Sequence, residues 1–490
     1  MVDNRRWWAL VVIALAQLMV VLDMTIVNIA LPSAQADLNM SDGNRQWVIT
    51  AYTLAFGGLL LLGGRIADLA GRRTTFMIGL LGFAAASALG GAATGQGMLF
   101  GARALQGVFA ALLAPSALSL LATTFTEPKE RAKAFGVFGA IVGAGAAIGL
   151  LAGGLLTQYL DWRWCLYVNV PIALVAFAGA WAILAPGGRH PDAHLDVPGA
   201  LLGSAGMLSL VYGFSEASSR SWGDALVVTL LVAGVVLLAA FAVWQTRARV
   251  PLLPMSVIRD RQRVGAFLTV LFVTVGMFGV FLFLTYYLQG VLGWSPLKTG
   301  LAYLPMTAAM IVGSTQIAAR LLGRVPPRVL IVPGLLTAAG GLSIIAQVGV
   351  EPAYVSHVLP GMLMLGLGMS TAMMTSISLA TGSVAPRDSG AASATFNTAQ
   401  QVGGSIGTAL LNTIAASVTA TYLTAHAGPG VDRRQLQAEA TVHGFNVATW
   451  WAFGALLLAA LIAGVVVNAE RAPTPQGAGE RTPEPVDTLG

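Results

Sequence analysis

Trp7-Trp8-Ala9-Leu10-Val11-Val12-Ile13-Ala14-Leu15-Ala16-Gln17-Leu18-Met19-Val20-Val21-Leu22-Asp23-Met24-Thr25-Ile26-Val27-Asn28-Ile29-Ala30-Leu31-Pro32 is a run of 26 residues with a single charge, Asp23. As a helix it reaches about 39 Å, enough to cross the ~30 Å hydrocarbon core of a bilayer. Arg5-Arg6 before it and Ala34-x-Ala36 after it imitate a cleaved secretory leader. A leader's apolar region is only about 7–15 residues long, however. The length and the central carboxylate point to a retained first transmembrane helix.

Runs of the same kind recur along the chain, near 7–32, 47–69, 74–95, 97–123, 133–158, 164–186, 197–216, 224–246, 263–288, 296–321, 328–349, 353–383, 389–420 and 445–468. The 490 residues are 56% hydrophobic and only 10% charged, against about 25% charged in soluble domains. Mean hydropathy is +0.75. Too little polar surface exists to cover several soluble cores, so the expected class is an all-α polytopic membrane protein.

The net charge of +6 and pI of 9.7 do not mark a nucleic-acid binder, because the basic residues lie between the apolar runs. With fourteen spans and the N-terminus inside, 20 Arg and Lys fall on the inner side and 6 on the outer, leaving Arg103 within a span, so that all 27 are placed. One helix more or fewer near the middle would destroy this asymmetry, which follows the positive-inside rule. Both termini are therefore expected in the cytoplasm. Arginine outnumbers lysine 24 to 3, the bias of a GC-rich bacterial genome. Cys165 is the single cysteine, which excludes an internal disulfide and a cysteine metal cluster.

The expected organisation is an N-terminal six-helix bundle over 1–186, two inserted transmembrane helices over 187–246, and a basic cytoplasmic linker over 247–262. A C-terminal six-helix bundle over 263–468 and a Pro/Gly/Glu-rich disordered tail over 469–490 complete it. Ala51-Tyr52 is followed at a distance by Gly71-Arg72, and Ala302-Tyr303 in the same way by Gly323-Arg324. Each pair falls on the second helix of its set, as parallel transporter repeats would place it.

Between spans two and three the chain reads Gly64-Arg65-Ile66-Ala67-Asp68-Leu69-Ala70-Gly71-Arg72-Arg73. Glycines there allow close helix approach and a tight bend. This stretch resembles the signature loop of the major facilitator superfamily, Gly-x-x-x-Asp-x-x-Gly-Arg-Arg/Lys. Leu22 to Pro32 is similar to the first-helix motif of that family's fourteen-helix drug–proton antiporter branch. Leu99, Arg103, Gln106 and Gly107 resemble its fourth-helix pattern, and Gly145, Gly149, Gly153 and Gly154 its fifth-helix antiporter ridge, with Leu150 where the family usually has Pro. The resemblance spans about 7–468. It implies the major facilitator fold: two six-helix bundles plus two inserted helices, fourteen in all.

Asp23 is the one acid deep in an apolar run. A carboxylate in hydrocarbon is costly and requires a partner. Counted from the outer helix ends, Asp23 lies about 13 Å deep and Arg103 about 9 Å, so the two can meet if helices one and four are neighbours, as the resemblance implies. Asp23 is expected to carry the driving proton, with Arg103 setting its proton affinity. A static pair, or an Asp bonded to Thr25 or Asn28, is the structural alternative. Asn28, Tyr52, Gln106, Tyr286, Tyr287, Met373, Asn397 and Gln401 are candidates to line a substrate cavity, and interhelical packing is the alternative for each. Gly145, Gly149 and Gly153 make one flat stripe, expected at the seam between the two halves. Gly64, Asp68, Gly71, Arg72, Arg73, Glu127, Glu130 and Asp388 are candidates for an inner-surface latch, as the resemblance implies. Capping and ordinary solvated charge explain each of these separately.

The function expected is proton-coupled export of amphipathic, drug-like compounds or antibiotics by alternating access; the alternative is a same-fold carrier of one metabolite. The expected partners are a small amphipathic substrate, protons and the bilayer, with no nucleic acid, no cofactor, no metal and a monomeric state. No Gly-x-x-x-x-Gly-Lys-Ser/Thr loop occurs, so a proton gradient is the expected drive. The five histidines form no evident nucleophile–base pair, so no enzymatic activity is expected.

Overall fold

A computed structural model describes residues 2–41, 44–125, 127–184, 196–217, 220, 222–248, 251–252, 255–322, 324–351, 354–382, 389–428 and 432–467. The first seven helices are α1 (Val2–Asp37), α2 (Trp47–Ala70), α3 (Arg72–Gly91), α4 (Gln96–Thr124), α5 (Pro128–Tyr159), α6 (Trp164–Tyr167) and α7 (Asn169–Ile183). Then come α8 (Val197–Ala217), α9 (Ala225–Gln245) and the short α10 (Met255–Ile258). The rest are α11 (Arg261–Tyr286), α12 (Pro296–Ala302), α13 (Leu304–Val312), α14 (Ala319–Leu321), α15 (Pro327–Ile345), α16 (Leu359–Gly382), α17 (Ser389–His426) and α18 (Arg433–Val466). Hydrocarbon offers the backbone no partner, so each crossing segment must close its hydrogen bonds within itself, and a helix does so.

Among the described residues, twelve helical stretches are long and apolar enough to cross a bilayer. Two shorter apolar segments, Trp47–Leu60 and Ile148–Tyr159, lie within α2 and α5. The run near 164–186 is interrupted: α6 ends at Tyr167 and α7 begins at Asn169. Pro171 falls in the first turn of α7, where a missing N–H costs nothing. Pro305 sits likewise at the start of α13 and separates it from α12.

The helices α1–α5 and α7 share a core that includes Ile13, Phe76, Phe83 and Phe125. A second core is drawn from α11–α13 and α15–α18 and receives Ile29 of α1 and Leu150 of α5. The α8–α9 pair packs beside α2 and α17. One end of the pair is tied by Asp196, which accepts from Trp244 Nε1 at 2.7 Å, Gln245 Nε2 at 2.8 Å and the Gly199 amide at 3.0 Å. Both repeat tyrosines, Tyr52 and Tyr303, are fully buried.

Small residues set the tightest helix contacts. A methyl group at Gly63 would overlap the Ala111 carbonyl, and one at Gly107 the Tyr52 carbonyl, so α2 and α4 touch backbone to backbone. Gly64, expected to permit this approach, does not: its added methyl would stand 3.6 Å from Pro115, an ordinary contact. Gly71 makes the bend between α2 and α3 with φ of 92°, a conformation that residues with a Cβ rarely adopt.

Candidate functional site

Asp23 has no solvent exposure. Its Oδ2 accepts from Arg103 Nη1 at 2.5 Å. Its Oδ1 accepts from Gln106 Nε2 at 2.9 Å and from Asn169 Nδ2 at 2.7 Å. The donors to Asp23 are themselves held in place. Arg103 Nε donates to the Val48 carbonyl at 2.9 Å, and its Nη1 to Gln106 Oε1 at 2.9 Å. Gln106 Nε2 also donates to Ser87 Oγ at 2.8 Å. The Arg103 guanidinium lies 4.5 Å over the Tyr52 ring. Five helices, α1, α2, α3, α4 and α7, therefore converge on one carboxylate.

Local sequence explains this convergence. Arg103 and Gln106 are three residues apart on α4 and so share a face. The break at Val168 sets Asn169 at the first position of α7, facing α1. Three donors, one of them the Arg103 cation, meet the Asp23 carboxylate, and a buried ion requires such partners.

The structure brings Asp23 and Arg103 together, and Asp23 does not bond Thr25 or Asn28. Thr25 Oγ1 bonds the Val21 and Leu22 carbonyls, and Asn28 Nδ2 the Met24 carbonyl at 2.9 Å. Asn169 and Ser87 were missed. A lone Asn just before Pro171 in an apolar run was the available signal.

The candidate cavity residues divide. Gln106 and Tyr52 belong to the carboxylate cluster. Tyr287 is a correction: it is buried in the C-terminal core, and its hydroxyl donates to the Gly349 and Glu351 carbonyls at 3.0 and 3.3 Å. Tyr286 lies between the halves, stacked 3.9 Å under the Arg45 guanidinium and donating to Gln35 Oε1. Gln401 rests against Gly57 of α2. Met373 and Asn397 are half-buried. Asn28 Oδ1, the Tyr52 hydroxyl and Gln401 Oε1 are buried with no hydrogen-bond partner among the described residues. Such orphaned groups are costly unless something arrives to meet them.

The glycine stripe is a second correction. Gly145 faces Leu18 and Val21, a methyl at Gly149 would overlap Thr25 Oγ1, and Gly153 lies against Ile26. All three therefore pack on α1 inside the N-terminal half. The seam runs along the neighbouring face, where an added Cβ at Gly154 would stand 2.7 Å from Leu297 Cα and one at Gly300 2.5 Å from the Leu150 carbonyl. Periodicity showed that something packs close; it did not show which helix.

Some of the latch candidates lie among the described residues. Glu130 pairs with Arg6 at 3.5 Å, Arg73 Nη2 donates to the Trp181 carbonyl at 2.7 Å, and Glu127 is exposed. Arg72 is half-buried. The Asp68 side chain and Asp388 lie outside the described residues.

Among the described residues, several hydrogen bonds join the halves. Asn412 Nδ2 donates to Gln46 Oε1 at 2.7 Å and its Oδ1 accepts from Arg45 Nη2 at 3.4 Å. Gln289 Nε2 donates to the Ile29 carbonyl at 3.1 Å, and Gln158 Oε1 accepts from the Leu297 amide at 3.3 Å. Arg45, Gln46 and Asn412 are buried.

The family profile of the Major Facilitator Superfamily matches residues 13–408. The chain is 56% identical to the puromycin resistance protein of Streptomyces alboniger, over 95% of this chain and 92% of that one. It is 37% identical to the cephamycin export protein of Amycolatopsis lactamdurans, over 84% and 85%. The fold is similar to a bacterial homologue of the human lysosomal transporter Spinster in its inward-facing and occupied conformation, with a TM-score of 0.68 at 16% identity, over 94% of this chain and 96% of that one.

Proposed function

The chain belongs to the Major Facilitator Superfamily, and on that premise we propose that it exports antibiotic-like amphipathic small molecules across the cytoplasmic membrane in exchange for protons. The observation that carries the export reading is the 56% identity to a puromycin resistance protein across nearly the whole of both chains. Puromycin is therefore the first candidate cargo. The proposed topology has fourteen spans with both termini inside. Two six-helix bundles, over 1–186 and 263–468, rock about a central site as a monomer. No cofactor enters this scheme.

In this account Asp23 is the coupling carboxylate. Deprotonated, it is held by Arg103, Gln106 and Asn169, which ties α1, α4 and α7 together. Protonated, it gives up the charge interaction with Arg103, and α1 is freed to change its packing on α5 and α11. Drug and proton then favour opposite conformers, which couples their flows in opposite directions. The orphaned atoms of Asn28, Tyr52 and Gln401 are the proposed polar contacts for cargo.

The test is antibiotic tolerance in a sensitive host expressing the chain, with puromycin first in the panel and Asp23→Asn alongside at matched membrane abundance. A rise in the inhibitory concentration of puromycin, lost with Asp23→Asn, is expected. Unchanged sensitivity to the whole panel, from protein present in the membrane, would favour a narrow metabolite carrier.

A further inference from the structure

A half-open groove of about 540 Å³ runs between α3 and α7, lined by Gly71, Arg73, Thr74, Met77, Ile78, Leu81, Phe177 and Trp181. Its volume lies within the ~300–1,000 Å³ typical of small-molecule sites. One end is polar and cationic; the rest is apolar. From Gly71 to Leu81 the helix rises about 15 Å, half of a ~30 Å hydrocarbon core. The groove is therefore one leaflet deep.

Its walls face outward. Ile78 is 50% exposed, Leu81 43% and Trp181 66%. Among the described residues that line it, the charged one is Arg73. Arg73 Nη2 is held by the Trp181 carbonyl at 2.7 Å, while its Nε is buried with no partner among the described residues. Nearby, Arg5 Nε donates to the Ile183 carbonyl at 3.1 Å. Two guanidinium groups thus sit at the C-terminal end of α7, and their hydrogen bonds go to backbone carbonyls rather than to acids.

We propose that this groove binds one anionic phospholipid of the leaflet facing the loop between α2 and α3, its phosphate at Arg73 and Arg5 and an acyl chain along Met77, Leu81 and Phe177. Basic pockets between transmembrane helices recognise such headgroups by charge, and the apolar trough supplies the remainder. The orientation proposed above enters only in making this the cytoplasmic leaflet. The site is distinct from the carboxylate cluster and carries no cargo.

The experiment is native mass spectrometry of the detergent-purified full chain, titrated separately with phosphatidylglycerol, phosphatidylcholine and glycerol phosphate. Wild-type protein is expected to retain one phosphatidylglycerol in preference to phosphatidylcholine and to bind no glycerol phosphate. Arg73→Gln is expected to weaken phosphatidylglycerol retention about fivefold, the effect of ~1 kcal/mol per basic residue at an anionic surface. Arg73→Lys keeps most of it. Leu81→Trp, which fills the trough and leaves the charge, lowers both lipids, and Arg320→Gln, elsewhere on the inner surface, lowers neither. Equal retention of the two lipids, or retention unchanged by both Arg73→Gln and Leu81→Trp, would overturn the proposal. Because the readout is lipid mass and not transport, its outcome is independent of the export reading.

Discussion

Replacing Asp23 by Asn keeps the shape of the side chain and removes one charge, leaving the Arg103 guanidinium 2% exposed with only neutral partners. Two unit charges about 4 Å apart attract by ~4 kcal/mol at an effective dielectric constant of 20. Breaking a buried pair from one side costs ~3–5 kcal/mol, because the surviving charge stays desolvated. Arg103→Met on the wild-type background strands the carboxylate in the same way. The double variant strands neither charge. The expectation is that each single substitution destabilises by several kcal/mol and that the double variant is less destabilised than the sum by ~2–3 kcal/mol. The assay is equilibrium unfolding in mixed micelles, followed by tryptophan fluorescence, for the four proteins of the cycle. Additive effects, with coupling below ~0.5 kcal/mol, would show that the pair does not act as a unit.

Further outcomes follow from packing. Gly63→Ala should destabilise more than Gly64→Ala by ~1–3 kcal/mol, since only the former meets a backbone carbonyl; overpacking costs this much, and thermal melts in detergent decide. Gly71→Ala should cost ~1–3 kcal/mol because of its φ of 92°, a value that strains any residue with a Cβ. Arg45→Ala, which removes the stacking on Tyr286 and the bond to Asn412, should raise labelling of a cysteine placed at Ile29, read with a membrane-impermeant thiol reagent. The background needs only Cys165→Ser, because Cys165 is the single cysteine. Gly300→Ala, blocked by the Leu150 carbonyl, should shift labelling in the same direction.

Much of the fold was legible because the bilayer demands long apolar runs separated by charge, and because helix rise converts sequence position into depth. That arithmetic brought Asp23 and Arg103 to one level before any contact was known. It did not identify Asn169, whose role depends on a helix break that apolar composition conceals. It also could not choose the partner of the glycine stripe: Gly149 and Gly154 are equally small, yet one lies under Thr25 and the other against Leu297. Tyr286 and Tyr287 are adjacent in sequence and one is exposed to the seam while the other is locked in the core, a difference of rotation that amphipathicity barely records in an apolar helix. The pairing of Glu130 with Arg6 was not legible either, because the two lie 124 residues apart in the sequence.

The most direct measurement of the central claim is proton counterflow in proteoliposomes of the purified chain, loaded with a pH-sensitive dye and held under an imposed pH gradient. On addition of puromycin the account predicts proton movement opposite to the drug with wild-type protein, and none with Asp23→Asn of equal folded content. Puromycin transport without proton movement, or full coupling in Asp23→Asn, would contradict it.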